Sequence, residues 1–123
     1  MRNRILAASV LSALCGPVLA QDSDPGQLAF NNACRMCHTL REGDNRLGPN
    51  LYRVVGRKAG SLSNYSYSES MKKADIVWDK DTLDRFMANP DEFLPNNNMK
   101  PFGGVASAEE RSKIVAYLTK AGR

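Results

Sequence analysis

The clearest pattern of apolar and polar positions is a helical stripe near the C-terminus. Ser107 and Glu110 precede it at the spacing of a capping box, and Gly122 follows it. The apolar positions of the stripe are Ile114, Val115, Tyr117 and Leu118. This pattern predicts a helix that begins after Ser107 and buries one face.

Two shorter helices are predicted in the middle of the chain, over residues 68–73 and 81–89. Asp79 can cap the second helix, and Pro90 should end it. The buried face of that helix would carry Leu83, Phe86 and Met87.

A fourth helix should begin at Pro25, with Asp24 as its cap, and run to about Arg35. In contrast, residues 39–66 and 95–106 are rich in glycine, asparagine, serine or proline and show no sustained period. No run of residues alternates persuasively as a strand would. We therefore expect an all-α single domain of three to five helices, whose long loops fold around a cofactor.

Residues 1–20 have the pattern of a cleaved secretory signal peptide. Arg2 and Arg4 give the segment a positive start, and a short apolar run over residues 5–18 ends in small residues typical of a cleavage site. The prediction is export to the bacterial periplasm, with a mature domain over residues 21–123. A retained membrane anchor is the alternative, although the apolar run is too short to span a bilayer comfortably.

The predicted mature chain is only weakly basic. Of the 17 basic residues, Arg2 and Arg4 are lost with the signal peptide, which leaves 15 against 13 acidic residues and a net charge of +2. Nucleic-acid binding needs a concentrated basic face, so this balance does not favour it. No later segment is apolar enough for a membrane helix, and we expect a protein that is not embedded in a membrane.

Cys34, Cys37 and His38 form a Cys-x-x-Cys-His motif, the attachment site of a c-type haem. The two thiols can add to the vinyl groups of one porphyrin, and the histidine can then bind the iron. A zinc site would need further ligands, but His38 is the only histidine and no second cysteine pair exists. A thioredoxin-like redox site would need a strand-rich context, which the pattern lacks. The motif therefore predicts one covalently attached haem.

Binding of iron through one ring nitrogen of His38 leaves the other nitrogen in need of an acceptor that fixes the tautomer. The Gly48-Pro49 dipeptide offers one, because the Pro49 carbonyl can face the imidazole from a rigid loop. The alternative is that this dipeptide forms an ordinary turn.

The second axial ligand of the iron must come from elsewhere in the chain, and methionine is the candidate residue type. Met36 is too close to His38 in sequence, and Met87 lies in a helical pattern where methionine usually fills a core. Met71 is harder to exclude. Met99 lies in a loop bounded by proline and glycine, and it is the predicted ligand, with a core-filling role as its alternative.

Ligation by His38 and Met99 would leave no open coordination position on the iron. Thioether sulfur favours ferrous iron and raises the reduction potential. The iron could then exchange electrons, but it could not bind a substrate or a gas. A haem enzyme or a gas sensor, the alternative class, requires an open or easily opened site.

Four blocks of the chain resemble the class I c-type cytochromes, specifically the branch of cytochrome c2 and mitochondrial-type cytochrome c. The blocks are residues 34–38, 47–51, 55–60 and 89–99. The resemblance implies an all-helical cytochrome c fold around one haem, with one haem edge near the surface. It also implies that Gly26 and Phe30 let the first helix cross the last one closely, near Ile114 and Tyr117.

The same resemblance implies partners for the haem propionates. Tyr67, Trp78 and Arg57 occupy matching positions, and buried carboxylates need such donors. Asn97 could also donate to a propionate, although less securely. Plain packing is the alternative for Tyr67 and Trp78, and a solvated turn for Arg57.

The chain departs from the family pattern beside the predicted haem. Phe86 stands where the family often has a tyrosine, and Met71 where it often has an asparagine. Lysines ring the haem edge in the family, whereas here only Lys100 lies near it, with Arg35 as a further contributor. A dispersed, solvated surface is as good an interpretation as a basic docking ring.

By this resemblance, the protein would be a soluble, monomeric, monohaem electron carrier and not an enzyme. Its redox partners would be a cytochrome bc complex, a terminal oxidase, a photosynthetic reaction centre or a periplasmic dehydrogenase. The residues do not choose among these partners.

Overall fold

The computed structural model of the chain describes residues 12–17 and 24–121. Its helices are α1 (Pro25–Ala33), α2 (Glu69–Lys73), α3 (Lys80–Ala88), α4 (Pro90–Phe93) and α5 (Ala108–Lys120). Long irregular segments connect α1 to α2 and α4 to α5, so the predicted all-α architecture with long loops is confirmed. Most of the predicted signal peptide lies outside the described residues, as does Gly122, and that segment remains a prediction.

Helix α1 crosses α5 at a distance that only glycine permits. A Cβ atom on Gly26 would lie 2.7 Å from the carbonyl oxygen of Lys113 and 2.8 Å from the Cβ of Tyr117. One turn further along α1, the ring of Phe30 packs on Tyr117 with the ring centroids 5.5 Å apart. The structure thus contains the predicted crossing, and this crossing fixes the end of α1, where the cysteine motif begins.

The helix ends are set by local hydrogen bonds. The Ser107 hydroxyl accepts a hydrogen bond from the Glu110 amide at 3.2 Å, as the capping-box pattern predicted, but the Glu110 carboxylate accepts from Lys113 Nζ instead of returning to the cap. A complete capping box lies at the start of α3. There the Asp79 carboxylate accepts from the Thr82 amide, and the Thr82 hydroxyl accepts from the Asp79 amide, both at 2.8 Å.

Helix α4 is a short element that the sequence pattern did not predict. Pro90 follows the end of α3 as expected, but it is also the first residue of α4. Asn89 lies between the two helices, and its side-chain oxygen accepts a hydrogen bond from the Glu92 amide at 3.2 Å. Asn89 therefore ends α3 and begins α4.

Residues 56–59 and 76–78 run side by side in a short backbone pairing. The Trp78 amide donates to the Arg57 carbonyl at 2.8 Å, and the Gly56 amide donates to the Trp78 carbonyl at 2.7 Å. An isolated antiparallel bridge joins Lys58 to Val77 between them. Because of this pairing, Arg57 and Trp78 are held close to each other on neighbouring backbone segments.

The hydrophobic core lies between α1, α3, α5 and the residues around Trp78. Its buried side chains are Ala29, Phe30, Val54, Ala59, Trp78, Leu83, Phe86, Met87, Ile114, Val115 and Leu118. Within residues 12–17 and 24–121, no helix combines the length and the apolar character needed to cross a membrane.

The crossing of α1 and α5 predicts that Gly26→Ala destabilises the fold. The added methyl group would meet the backbone of Lys113, which cannot rotate away, and we expect a loss of ~1–3 kcal/mol in the free energy of unfolding. Denaturant unfolding of the holoprotein measures this loss. Gly103→Ala is the matched control, because a Cβ at Gly103 meets nothing within 4 Å. Equal midpoints for the two variants would refute the close crossing.

Candidate haem-binding site

One cavity brings together most of the residues that the sequence singled out. From the cysteine motif its wall contains Cys34, Cys37 and His38, and from the loop after α4 it contains Met99. Four other predicted site residues also line it, namely Pro49, Arg57, Tyr67 and Trp78. The rest of the wall is largely apolar and comes from α2, α3, α5, the loop between α1 and α2 and the loop after α4.

The two cysteines and His38 reach the cavity through a tight turn at the end of α1. The Cys34 amide still donates to the Phe30 carbonyl at 2.8 Å, and the Cys37 and His38 amides both return to the Cys34 carbonyl, at 3.1 and 3.0 Å. Such a turn points both thiols and the imidazole into the same space.

The thiol environment argues against a redox-active cysteine pair. Burial raises the pKa of the Cys34 thiol to about 11, and the neighbouring Cys37 adds to the rise. Reactive cysteines have a lowered pKa instead. Among the described residues, no three His, Cys, Asp or Glu side chains converge to hold a metal ion, so the zinc alternative gains no support there.

His38 is buried and oriented by the main chain of the following loop. Its Nδ1 lies 2.7 Å from the Pro49 carbonyl oxygen, which is the contact that the sequence predicted. Burial lowers the pKa of His38, and the hydrogen bond to Pro49 opposes this effect only in part. A neutral imidazole whose Nδ1–H donates to Pro49 keeps its Nε2 lone pair available for a metal.

Gly48 provides the space in which the imidazole lies. A Cβ atom at this position would come within 2.7 Å of His38 Nδ1 and 2.9 Å of Nε2. The Gly48 amide also donates to the Cys37 carbonyl at 2.8 Å, and the Leu51 amide donates to the Thr39 carbonyl at 2.8 Å. Residues 37–39 and 48–51 therefore form one hydrogen-bonded unit around the imidazole.

Met99 is positioned by a side chain that the sequence had given another role. The Asn97 side-chain oxygen accepts a hydrogen bond from the Met99 amide at 2.9 Å, and its Nδ2 donates to the Leu94 carbonyl and to the Asp91 carboxylate at 2.9 and 3.1 Å. Asn97 is 3% exposed and is not part of the cavity wall, whereas Asn98 is. The structure thus corrects the predicted donation from Asn97 to a propionate, because both amide hydrogens are already used.

Comparison with known proteins supports the haem-binding site that the geometry indicates. The family model described as Cytochrome c matches residues 23–122. The chain is 39% identical over 98 residues to cytochrome c of Gibberella zeae, a match that covers 79% of this chain and 92% of that protein. It is 37% identical over 101 residues to cytochrome c of Arabidopsis thaliana, which covers 81% of this chain and 89% of the relative.

A solved structure agrees with these relatives. Cytochrome cH from Methylobacterium extorquens superposes with a TM-score of 0.72 and 34% identity, covering 80% of this chain and 97% of that one. The chain belongs to the cytochrome c family. It is a class I c-type cytochrome that carries one covalent haem c and transfers electrons, and the predicted cytochrome c fold is confirmed.

The cavity of this cytochrome fits the acidic side groups of a haem. The guanidinium of Arg57 is half-buried and lines the cavity, where it donates to the Asn50 carbonyl at 2.7 Å and to the Tyr52 carbonyl. Within residues 12–17 and 24–121, no carboxylate forms a salt bridge with Arg57. Burial lowers the pKa of Arg57, as expected for a cation that lacks an anionic partner. A propionate would supply that partner.

Tyr67 and Trp78 border the same region. Burial raises the pKa of Tyr67, although the Leu62 amide and the charge of Arg57 act in the opposite direction, so the phenol keeps its proton and can donate. Trp78 is buried, and its ring packs on Phe86 with centroids 5.2 Å apart. Packing and donation to a propionate are compatible for Trp78, and donation to a propionate stays the prediction for both residues.

Sequence reasoning missed two polar residues, one in the wall of this cytochrome's cavity and one in the loop that supplies part of that wall. Tyr65 lines it, and its hydroxyl donates to the Leu47 carbonyl at 2.8 Å while its ring meets Tyr67 edge-on. Asn45 joins distant parts of the loop between α1 and α2, since its Nδ2 donates to the Asn64 carbonyl at 3.1 Å and its oxygen accepts from the Asn50 amide at 2.9 Å. The alternation of Tyr65 and Tyr67 was the only local signal, and Asn45 had none.

From the close contact between Gly48 and the His38 ring, we predict that Gly48→Ala impairs haem binding. The added methyl group would displace the His38 ring from Pro49, and we expect a lower yield of covalent haem and a loss of ~1–3 kcal/mol in the stability of the protein that does form. Intact mass and denaturant unfolding measure the two effects, with Gly103→Ala as the control. Wild-type yield and stability in Gly48→Ala would contradict this arrangement.

Proposed function

We propose that this cytochrome is a periplasmic one-electron carrier whose haem iron is held by His38 and Met99. The observation that carries the proposal is that both side chains line one cavity, together with the two cysteines of the attachment motif. Each of the two ligands is also fixed by a neighbour, His38 by the Pro49 carbonyl and Met99 by the Asn97 side chain.

When bound, the haem supplies a one-electron iron couple. His38 holds its proton on Nδ1, so it offers a neutral nitrogen ligand in both oxidation states. The thioether of Met99 is a soft ligand that favours ferrous iron. Since neither side chain has to gain or lose a proton, electron transfer requires little rearrangement of the site.

The apolar wall of the cavity supports electron transfer over chemistry on a bound substrate. Leu83, Phe86 and Met87 of α3 and Leu118 of α5 all contribute to it. These four side chains carry no acid or base and form no hydrogen bond with a polar substrate.

Redox proteins are the partners that such a carrier needs. A cytochrome bc complex, a terminal oxidase, a photosynthetic reaction centre and a periplasmic dehydrogenase are the proposed classes. Met36 is 89% exposed and lies with Leu47, Arg35 and Arg41 in a cleft beside the cavity, whereas Arg46 of the same cleft is paired with Asp44. An apolar patch with arginines fits a redox partner that has an acidic rim, and apolar contact would moderate the salt dependence of docking.

Ligation by Met99 is tested by NMR of ferrous holoprotein labelled at the methionine methyl carbons. A methyl group held over the porphyrin plane is shifted strongly upfield by the ring current. We expect one such resonance in the wild-type protein. It should disappear from that position in Met99→Ala and stay there in Met36→Leu, a control at an exposed site. Ferrous wild-type protein should also bind carbon monoxide slowly, because no position on the iron is open.

Two outcomes would refute the carrier with this ligation. Rapid binding of carbon monoxide to the ferrous wild-type protein would favour a haem enzyme or a gas sensor. An upfield methyl resonance that Met99→Ala leaves unchanged would remove Met99 from the iron.

Export is tested by fractionation of a Gram-negative host that attaches haem in its periplasm. We expect red protein in the osmotic-shock fraction. Its intact mass should equal that of a chain that begins at Gln21 and carries one haem. Deletion of residues 2–20 should leave colourless chain in the cytoplasm. Full-length protein in the membrane fraction would show that the segment is a retained anchor instead.

A further inference from the structure

The haem cavity contains more thioether side chains than one iron needs. Besides Met99, both Met71 and Met87 lie in its wall. Methionine often fills irregular gaps in a core, so each of the two needs an explanation of its own. Met87 has one, because it is 6% exposed on α3, beside the buried Phe86 and one turn from Leu83.

Met71 packs against the edge of the core, but core packing explains its position less fully than it explains that of Met87. It lies on α2, a helix of five residues in which no side chain is buried. Its neighbours on this helix are polar or charged, with the sequence Glu-Ser-Met-Lys-Lys, so Met71 is the one apolar side chain of α2. That side chain is only half-buried, yet it reaches the wall of the haem cavity.

The backbone of Met71 is fixed while its side chain stays adaptable. The Met71 amide donates to the Ser68 hydroxyl at 3.1 Å, and its carbonyl accepts from the Ala74 amide at 3.3 Å. Gly60 approaches so closely that a Cβ there would lie 2.6 Å from the Met71 carbonyl oxygen. A methionine side chain has three rotatable bonds, so the sulfur can change position without movement of α2.

The other polar groups in the wall compete poorly for a soft metal. The Lys100 ammonium is ion-paired with the Asp91 carboxylate. Burial raises the pKa of both Tyr65 and Tyr67, which keeps these phenols protonated. Thioethers are therefore the neutral donors of the wall that suit ferrous iron.

We propose that Met71 is a reserve ligand, whose sulfur binds the haem iron when Met99 is absent from it. This inference rests on the proposed function, in which Met99 is the resident ligand. Its consequence is that small molecules must compete with the sulfur of Met71 for the iron after the resident sulfur is lost. The side chain that supplies this reserve belongs to α2, which is far along the chain from Met99.

The test uses the same methyl-labelled ferrous holoprotein in three variants. In Met99→Ala we expect a new upfield methyl resonance at a shifted position, and in Met99→Ala/Met71→Leu we expect none. Met99→Ala/Met87→Leu is the matched control and should keep the new resonance. Because a reserve ligand that occupies the iron ~90% of the time lowers the apparent affinity for carbon monoxide ~10-fold, the affinity should rise by that factor when Met71 is also replaced.

Each other outcome overturns a defined part of the proposal. If Met99→Ala shows no upfield methyl and binds carbon monoxide as tightly as Met99→Ala/Met71→Leu, the reserve role is wrong and the resident ligation by Met99 stands. A new resonance that disappears with Met87→Leu would transfer the role to Met87. An upfield methyl that is lost in Met71→Leu, with Met99 intact, would overturn both assignments. If Met99→Ala does not fold, Met99→Leu fills the vacated volume and permits the same comparison.

Discussion

The site of this cytochrome depends on how the imidazole of His38 is held. Its ring lies against Gly48, and its Nδ1 donates to the Pro49 carbonyl at 2.7 Å. Two further main-chain hydrogen bonds join residues 37–39 to residues 48–51 on either side of this contact. The buried ring therefore has one orientation and one tautomer, and this leaves Nε2 as the free nitrogen. An imidazole without these contacts would have to be ordered by the iron alone.

The long loops around the cavity are ordered by side-chain hydrogen bonds in place of regular secondary structure. Asn45, Asn50 and Arg57 connect backbone groups of the loop between α1 and α2. Among the described residues, every fully buried side-chain nitrogen or oxygen atom has a hydrogen-bond partner. Unsatisfied polar groups in a buried loop would be costly. A loop fixed in this way suits an electron carrier, because a rigid surround keeps the rearrangement between oxidation states small.

The helices could be predicted because their signals are local. Asp24 with Pro25, Ser107 and Asp79 each cap the helix that follows within a few residues. Helix α4 was missed because Asn89 and Pro90 both end α3 and begin the next helix, and a proline after a helix is usually interpreted as a stop alone.

The site residues also differ in how far their roles depend on local or on distant contacts. The cysteine motif and the Gly48-Pro49 dipeptide carry their chemistry in adjacent residues, and the structure brings both to the cavity. The roles of Asn97 and Asn45 depend instead on where distant backbone groups lie. The amide of Asn97 is used by Leu94, Asp91 and Met99, and the sequence does not contain the geometry that makes those partners available.

The cavity and the stability of the fold are coupled. Cys34 and Cys37 belong to the haem attachment motif, and no disulfide joins two cysteines within residues 12–17 and 24–121. Residues that would otherwise complete the core, such as Leu83, Phe86 and Leu118, line the cavity with part of their surface. Atoms that face an empty space lose dispersion contacts, and a group that fills the space restores them. Haem attachment therefore contributes folding free energy as well as redox chemistry, because the native state buries the apolar ring in this cavity and the unfolded chain exposes the ring to water. Substitutions in the wall will consequently change both the reduction potential and the stability of the holoprotein, and the two measurements must be made together.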